Sequence, residues 1–496
     1  MRRPTRSAMP NVSRTLLQPR PLGLYLGQSA FGGEHTRRLA VPEHVRRKAR
    51  RRSDASHVLI GRREELHRAS SGRCSRKAHA RSRRLKMCDP PSAATLTGRE
   101  RMSDFELTRA HPLSRLLSIA IDYQTGTATF VRDDLMVATA TVALPTNRGA
   151  AVTSSTFFPK QSRIVFKASG RTLTMNLGTL STKCDAPTVY LDQRDWIHFA
   201  RWEKEPNRVT PAQRQFFGTL ATAAESEQVI VPISAAHLVE TSKRGGASRL
   251  DLAATMLRYS RGWQVRSVLA LRRAELRALF GGEPLVVSDV VTLAPQAALD
   301  MERPTAFAPE LGSEMSGLIE RQVWAAVFVQ LLLDPVPTPN GGKDLAHQWS
   351  QSFLPLATAI PGNAKARARL RDLTRVRFIS DLGHDLPAAA KEAGLTPGDF
   401  SRWLAESAER DIAATPGLSR LRETLHLRIA NTTEKWEAND LNDWFYLSYS
   451  GAYLDLVLGE RKTINYLRRV DPLVPSGAKL HYRAEDALAD LQHLLA

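Results

Sequence analysis

From residue 187 onward the chain repeats one short pattern: a β-rich run, a polar turn residue, then an apolar stripe at helical spacing. Thr188-Val189-Tyr190-Leu191 leads directly into Asp192, and Trp196, Ile197, Phe199 and Ala200 follow at helical positions. Val229-Ile230-Val231-Pro232-Ile233 reads as a buried strand, Ser234 as a helix cap, and 235–243 as a helix carrying Glu240. A third unit pairs a strand over 265–271 with a helix over 272–280 that stops at Gly281-Gly282. Strand–helix units in series bury their apolar faces as a parallel sheet with helices on both sides. Ligands of such sheets sit beyond the carboxyl ends of the strands. Asp192 falls at that edge, within reach of Glu240.

The rest of the chain arranges itself around this unit. Between 284 and 432 the strand signals vanish and helical periods take over, at 311–333, 343–356, 364–378, 397–407 and 418–429, with Pro and Gly at the junctions. This predicts an all-helical insertion that caps the sheet edge. Residues 433–496 then return to the α/β pattern. Asn439-Asp440-Leu441-Asn442-Asp443 opens a helix, Leu454-Asp455-Leu456-Val457-Leu458 is a fourth strand leaving through Gly459-Glu460, 479–482 a fifth strand, and 485–495 a closing helix. The expected class is therefore α/β, a parallel sheet of about five strands flanked by helices. Its first part is 187–283 and its second 433–496. Residues 102–186 show only weak strand signals, at 127–130, 136–144 and 163–166.

Charge separates the first fifth from the remainder. The chain of 496 residues has a net charge of +20, and residues 1–101 hold 25 Lys and Arg against 7 acids. Runs such as Arg46-Arg47-Lys48-Ala49-Arg50-Arg51-Arg52 have no hydrophobic period to bury, which predicts disorder. The segment is readable as a phosphate-gripping arm, as a transit peptide, or as sequence upstream of a start at Met87, Met102 or Met175. Cys74, Cys88 and Cys184 fall in no CxxC or Cys/His cluster, which argues against a thiolate zinc site and for a reducing compartment. The longest apolar stretch, at 323–333, is short of the ~20 residues of a bilayer span. A soluble, cytoplasmic protein with no membrane partner is the expectation.

Asp192, Glu240, Asp443 and Glu460 come from four separate segments, each expected at or near one sheet edge. Carboxylates gathered there repel one another. Hard oxygen donors without Cys or clustered His select Mg²⁺ or Mn²⁺, ions suited to phosphate-ester chemistry. Asp440 and Asp455 are further candidate ligands, and Lys243, Arg244, Arg272 and Arg273 are candidate phosphate contacts. Each acid also has a plain structural role open to it. Asp440 and Asp443 fit a helix N-terminus, Asp192 fits a cap, Glu240 can pair with Lys243, and Asp455 can face outward. His198 and His237 read as incidental. No GxGxxG follows the first strand, and there is no GxxxxGK[ST] or GxSxG. The second acid of Asp192-Gln193-Arg194-Asp195 is one residue too far along for a DxD phosphatase pattern.

The stretch Val189-Tyr190-Leu191-Asp192, the Glu240 helix, and the two segments from Asn439 to Asp443 and from Leu454 to Arg461 resemble the PIN-domain nucleases. The likeness is to the larger bacterial PIN-like proteins with a helical insertion. It covers under a third of the chain. The resemblance implies a Mg²⁺- or Mn²⁺-dependent, RNA-directed endonuclease with Asp192, Glu240, Asp443 and Glu460 as its acidic centre. Glu460 stands where compact members have Asp. The alternative is a noncatalytic nucleic-acid- or protein-binding module on a degenerate PIN-like fold.

Overall fold

The computed structural model describes residues 113–144, 151–176, 184–299, 307–308, 311–333, 341–437, 440–475 and 477–496. The expectations for residues 1–101 lie outside these. Within them the chain is mixed α/β, with one antiparallel and one parallel sheet as its main layers.

The segment with the weakest sequence signals builds the larger sheet. Its strands are β1 (Leu116–Asp122), β2 (Thr127–Arg132), β3 (Val137–Thr141), β4 (Val152–Phe158), β5 (Arg163–Ala168) and β6 (Arg171–Asn176), in the order β3-β2-β1-β4-β5-β6. Of these, β2, β3 and β5 match the expected runs, while β1, β4 and β6 are additions. Register places Ile119, Phe130, Phe157, Ile164 and Met175 on one buried face. Alternation puts Thr129, Thr156 and Thr174 on the other.

The chain then runs through β7 (Val189–Leu191), α1 (Gln193–Lys204), α2 (Pro211–Glu225), α3 (Ala235–Ser242), α4 (Gly246–Ser260), β8 (Gln264–Val265), α5 (Val268–Ala278) and β9 (Val291–Thr292). Helices α6 (Gly312–Leu333), α7 (Gly341–Ala359), α8 (Leu370–Leu382) and α9 (Pro416–Ala430) follow, and α10 (Asp440–Tyr453), β10 (Leu456–Leu458), α11 (Arg461–Val470), β11 (Lys479–His481) and α12 (Ala484–Leu495) close the chain. Strands β11, β10 and β7 form the parallel sheet in that order. On the free side of β7, single parallel bridges join Thr188 to Ile230 and Ile233 to Gln264 of β8. The chain thus moves away from β7 in one direction through 229–233 and β8, and returns on the other side through β10 and β11.

Alternate residues of this sheet enter opposite cores. Val189, Leu191, Leu456 and Leu458 pack with Trp196, Phe199, Phe217 and Leu491. Tyr190, Val457 and Leu480 pack with Leu425, Trp444 and Ile464. The first core is a stack of rings, with Phe199 centred 4.4 Å from Tyr259 and 5.2 Å from Phe217. Burying each such side chain contributes about 2–3 kcal/mol, so the helix that follows Asp192 rests on a rigid base. Gly262, at φ +86°, lets the chain cross the end of β6, where a Cβ would run into the Asn176 carbonyl oxygen.

Three expectations need correction. The parallel sheet has three strands rather than about five, because residues 229–233 make only single bridges and β8 pairs antiparallel with β9, a strand inside the segment expected to be all helical. Residues 268–271, read as the end of a strand, are the first turn of α5, and Leu271 N–H donates to Ser267 O. A short apolar run fits a buried strand and a buried helix equally, and helix packing decides it here. The helix at 311–333 is not part of a cap. Most of α6 is buried, and it binds the antiparallel sheet: Gln322 Nε2 donates to Ile119 O at 3.1 Å and to Ser155 Oγ at 2.8 Å, and Gln330 Oε1 accepts from Val152 N–H. At 22 residues α6 is also longer than its apolar stretch suggested; it is long and apolar enough to cross a membrane, yet 67% of that window is buried within the protein.

Candidate active site at the carboxyl edge of the parallel sheet

The strand order reverses between β7 and β10, and the carboxyl ends of these two strands frame a crevice. Such a switch point is where open α/β sheets take their ligands, because the flanking helices diverge to opposite faces. Asp192 closes β7 there. Its N–H donates to Leu458 O of β10 at 2.9 Å, and its Oδ1 accepts from Gln193 N–H at 2.7 Å, capping α1. Glu460 leaves the end of β10 as the residue before α11 and is exposed.

Local sequence explains how the other two acids arrive. Ser234 N–H donates to His237 Nδ1 at 2.8 Å, a reciprocal cap that starts α3 and brings Glu240 around on its second turn. Gln193 Nε2 donates to Thr241 Oγ1 at 3.0 Å and ties α1 to α3. Asp443 lies in the first turn of α10, half-buried. Glu240, Asp443 and Glu460 line one cavity of about 650 Å³, together with Gln193, Ile197, Lys243, Arg244, Thr433, Glu434, Lys435, Glu437, Asp440 and Lys462. His237 is buried against Tyr190 and Trp196, and burial lowers its pKa to about 3. It is a core residue.

The carboxylates feel one another. Burial, then the charges of Asp192, Glu240, Glu460 and Asp440, push Asp443 up to about 8. Glu240 rises to about 7, first by burial and then by Asp192 and Glu460, against the pull of Lys243. Burial also raises Asp192, with Glu460 adding to it, while the Gln193 N–H and Arg194 oppose. Among the described residues no ion pair offsets Asp443, and no three Asp, Glu, His or Cys residues form a ready-made metal centre. The donors nevertheless suit a hard divalent ion: all are carboxylate oxygens, in negative excess, and Mg²⁺ needs only one or two of them besides water and phosphate.

Several of the expected site residues lie elsewhere. Asp455 stands at the amino end of β10, the opposite edge, where its Oδ2 accepts from Thr188 N–H and Oγ1–H, both at 2.8 Å. Arg272 is buried in the helical region, paired with Asp385 at 2.5 Å and Asp381 at 4.0 Å. Arg273, beside it on α5, does not line the cavity. Lys243 and Arg244 do. Asp440 reaches the cavity wall with its charge already met: it accepts from Arg428 at 2.6 Å and from Glu437 N–H at 2.9 Å, with Lys462 at 3.5 Å.

Sequence reasoning missed two positioning groups. Arg428, buried near the end of α9, joins Asp440 to Glu434 and lies over the Trp436 ring. Arg194 donates to Asp195, to Tyr482 O at 2.7 Å and to Gly459 O at 3.3 Å, strapping the ends of β10 and β11 to α1. Only the placement of Arg194 two residues after Asp192 hinted at such a role. No protein-family model, curated protein or solved structure matches the chain.

Proposed function

We propose that this chain is a PIN-like, Mg²⁺- or Mn²⁺-dependent nuclease that hydrolyses phosphodiester bonds, with RNA as its substrate. The observation that supports this reading is that Glu240, Asp443 and Glu460, from three separate segments, line one cavity at the switch point of the parallel sheet, with Asp192, outside its lining, near enough for its charge to raise Asp443 and Glu240. A fold needing only stability has no use for four like charges there, since their mutual repulsion costs free energy. The bridges that extend β7 toward β8 support a longer parallel arrangement of the kind the resemblance implies.

These four residues would hold the divalent ion. When bound, the ion supplies an activated water and charge stabilisation on the phosphoryl oxygens. The chain's own contribution is placement. Asp192 is fixed through its N–H to β10, Glu240 through the cap of α3, and Asp443 through the Arg428 network that pins the first turn of α10. Lys243, Arg244, Lys435 and Lys462 on the cavity wall would hold phosphate oxygens.

The test is cleavage of single-stranded RNA and DNA in Mn²⁺ or Mg²⁺ by the wild type and by Asp192→Asn. The expected loss is roughly 100-fold or more. Equal rates would sink the assignment and favour a noncatalytic binding module.

A further inference from the structure

Outside the cavity, on the same edge of the sheet, three guanidinium groups converge on one aromatic ring. Arg461 lies 5.6 Å from the centroid of Tyr482, Arg468 5.5 Å and Arg483 5.6 Å. They come from two elements: Arg461 and Arg468 from α11, and Arg483 from the cap of α12, directly after the strand end that carries Tyr482. Each distance is within cation–π range. Any two of the cations therefore lie within about 11 Å of each other, close to one Debye length at 0.1 M salt, where like charges still repel.

Among the described residues no carboxylate stands within ion-pair distance of any of the three. Of the acids near them in sequence, Asp471 pairs with Arg420 and two others are engaged away from the patch. Glu460 lines the cavity, and Glu485 accepts from Thr210 Oγ1–H at 3.2 Å. Arg468 spends Nε and one terminal nitrogen on Leu480 O. Arg461 and Arg483 are exposed. Arg194 holds the backbone beneath them through Tyr482 O and Gly459 O, so the patch is built on fixed main chain.

Three uncompensated cations on a rigid aromatic mount, one residue from Glu460, call for a flexible polyanion that passes the acidic centre. We propose that Arg461, Arg468 and Arg483 around Tyr482 form an exosite for the phosphates of a single-stranded nucleic acid whose cleavable bond lies in the cavity. None of the three lines the cavity itself. The choice of nucleic acid over another polyanion rests on the nuclease reading above. The exosite places the flanking nucleotides on the β10–β11 side of the site, across from Lys243 and Arg244 just past the end of α3.

The test measures binding without cleavage. Anisotropy of a fluorescent single-stranded RNA oligonucleotide with the full-length protein in EDTA gives the dependence of affinity on salt. Each lost phosphate contact on a single strand lowers the slope of log K against log salt by about 0.7. Arg461→Gln/Arg483→Gln should therefore lower it by about 1–1.5 and weaken binding about tenfold, and Arg461→Lys/Arg483→Lys should restore the slope. Lys365→Gln/Arg367→Gln, an exposed pair on the helical region, is the control. An unchanged slope in the first variant, an equal fall in the control, or no recovery with lysine would each overturn the exosite. Cleavage in Mn²⁺ is scored separately. A wild type that binds through the patch and never cleaves would refute the nuclease reading and leave the exosite standing, while cleavage with an unaltered slope would do the reverse.

Discussion

Burial raises two carboxyl groups in this protein, one met by hydrogen-bond donors and the other by like charges. Glu275 on α5, wholly buried in the helical region, is pushed up to about 7 by burial. Its oxygens accept from Gly417 N–H at 2.6 Å, Leu418 N–H at 2.9 Å and the hydroxyl of Tyr453, so it caps α9 across a gap of some 140 residues. Asp443 at the sheet edge rises to about 8 by burial and by four neighbouring acids, and among the described residues no hydrogen bond or ion pair meets its carboxylate. One group is a finished structural joint. The other is left with unmet charge, beside a cavity. A raised carboxyl pKa alone marks neither function nor strain; the donors around the group distinguish the two.

Breaking the joint should have the largest effect. Glu275→Ala strands three donors and should cost about 3–4 kcal/mol in urea unfolding. Asp443→Asn should cost nothing measurable in metal-free buffer, because it removes a repelled charge. Arg428→Leu comes next, at about 2–3 kcal/mol, since it frees Glu434 and Asp440 from their shared guanidinium. It should also slow cleavage by loosening the turn that carries Asp443.

The pH dependence sharpens the comparison. Both groups bind a proton more tightly in the folded state than in the unfolded one, so both contribute stability at acid pH that is lost as pH rises. The loss due to Glu275 spans about pH 4.5 to 7, and that due to Asp443 continues to about 8. Calorimetry in EDTA should show a falling melting temperature over this range, and Asp443→Asn should flatten the part above pH 7. An unchanged slope above pH 7 in that variant would break the contrast.

The same contrast explains what the sequence could and could not say. Val189-Tyr190-Leu191-Asp192 and Leu456-Val457-Leu458-Gly459-Glu460 were legible because a short β-rich run followed by an acid and a helix is a local pattern. The helix of Glu240 was legible from its Ser234 cap. The partner of Asp455 was not, since alternation along a strand does not say that its side chain turns to Thr188 of the neighbouring segment. Residues 116–122 and 152–158 hid as strands because Ser and Thr dilute their apolar alternation and their partners are distant in sequence. The burial of α6 against the antiparallel sheet and the Glu275 joint are contacts across more than 100 residues, and Arg428 sits on a helix whose arginines look solvent-facing in one dimension. None of them has a local signature.

The smallest effect is expected at the opposite edge of the sheet. Asp455→Asn weakens its contacts to Thr188 and should cost about 1 kcal/mol while leaving cleavage unchanged. This makes it the matched control for the central claim, that the acids at the carboxyl edge form a metal-dependent phosphodiesterase centre.

The most direct measurement is therefore the Mn²⁺-dependent hydrolysis of one end-labelled single-stranded RNA by the wild type, Asp443→Asn and Asp455→Asn. The account predicts equal rates for the wild type and Asp455→Asn, and a loss of roughly 100-fold or more for Asp443→Asn. Equal rates for all three proteins, or no Mn²⁺-dependent hydrolysis by a folded wild type, would contradict it.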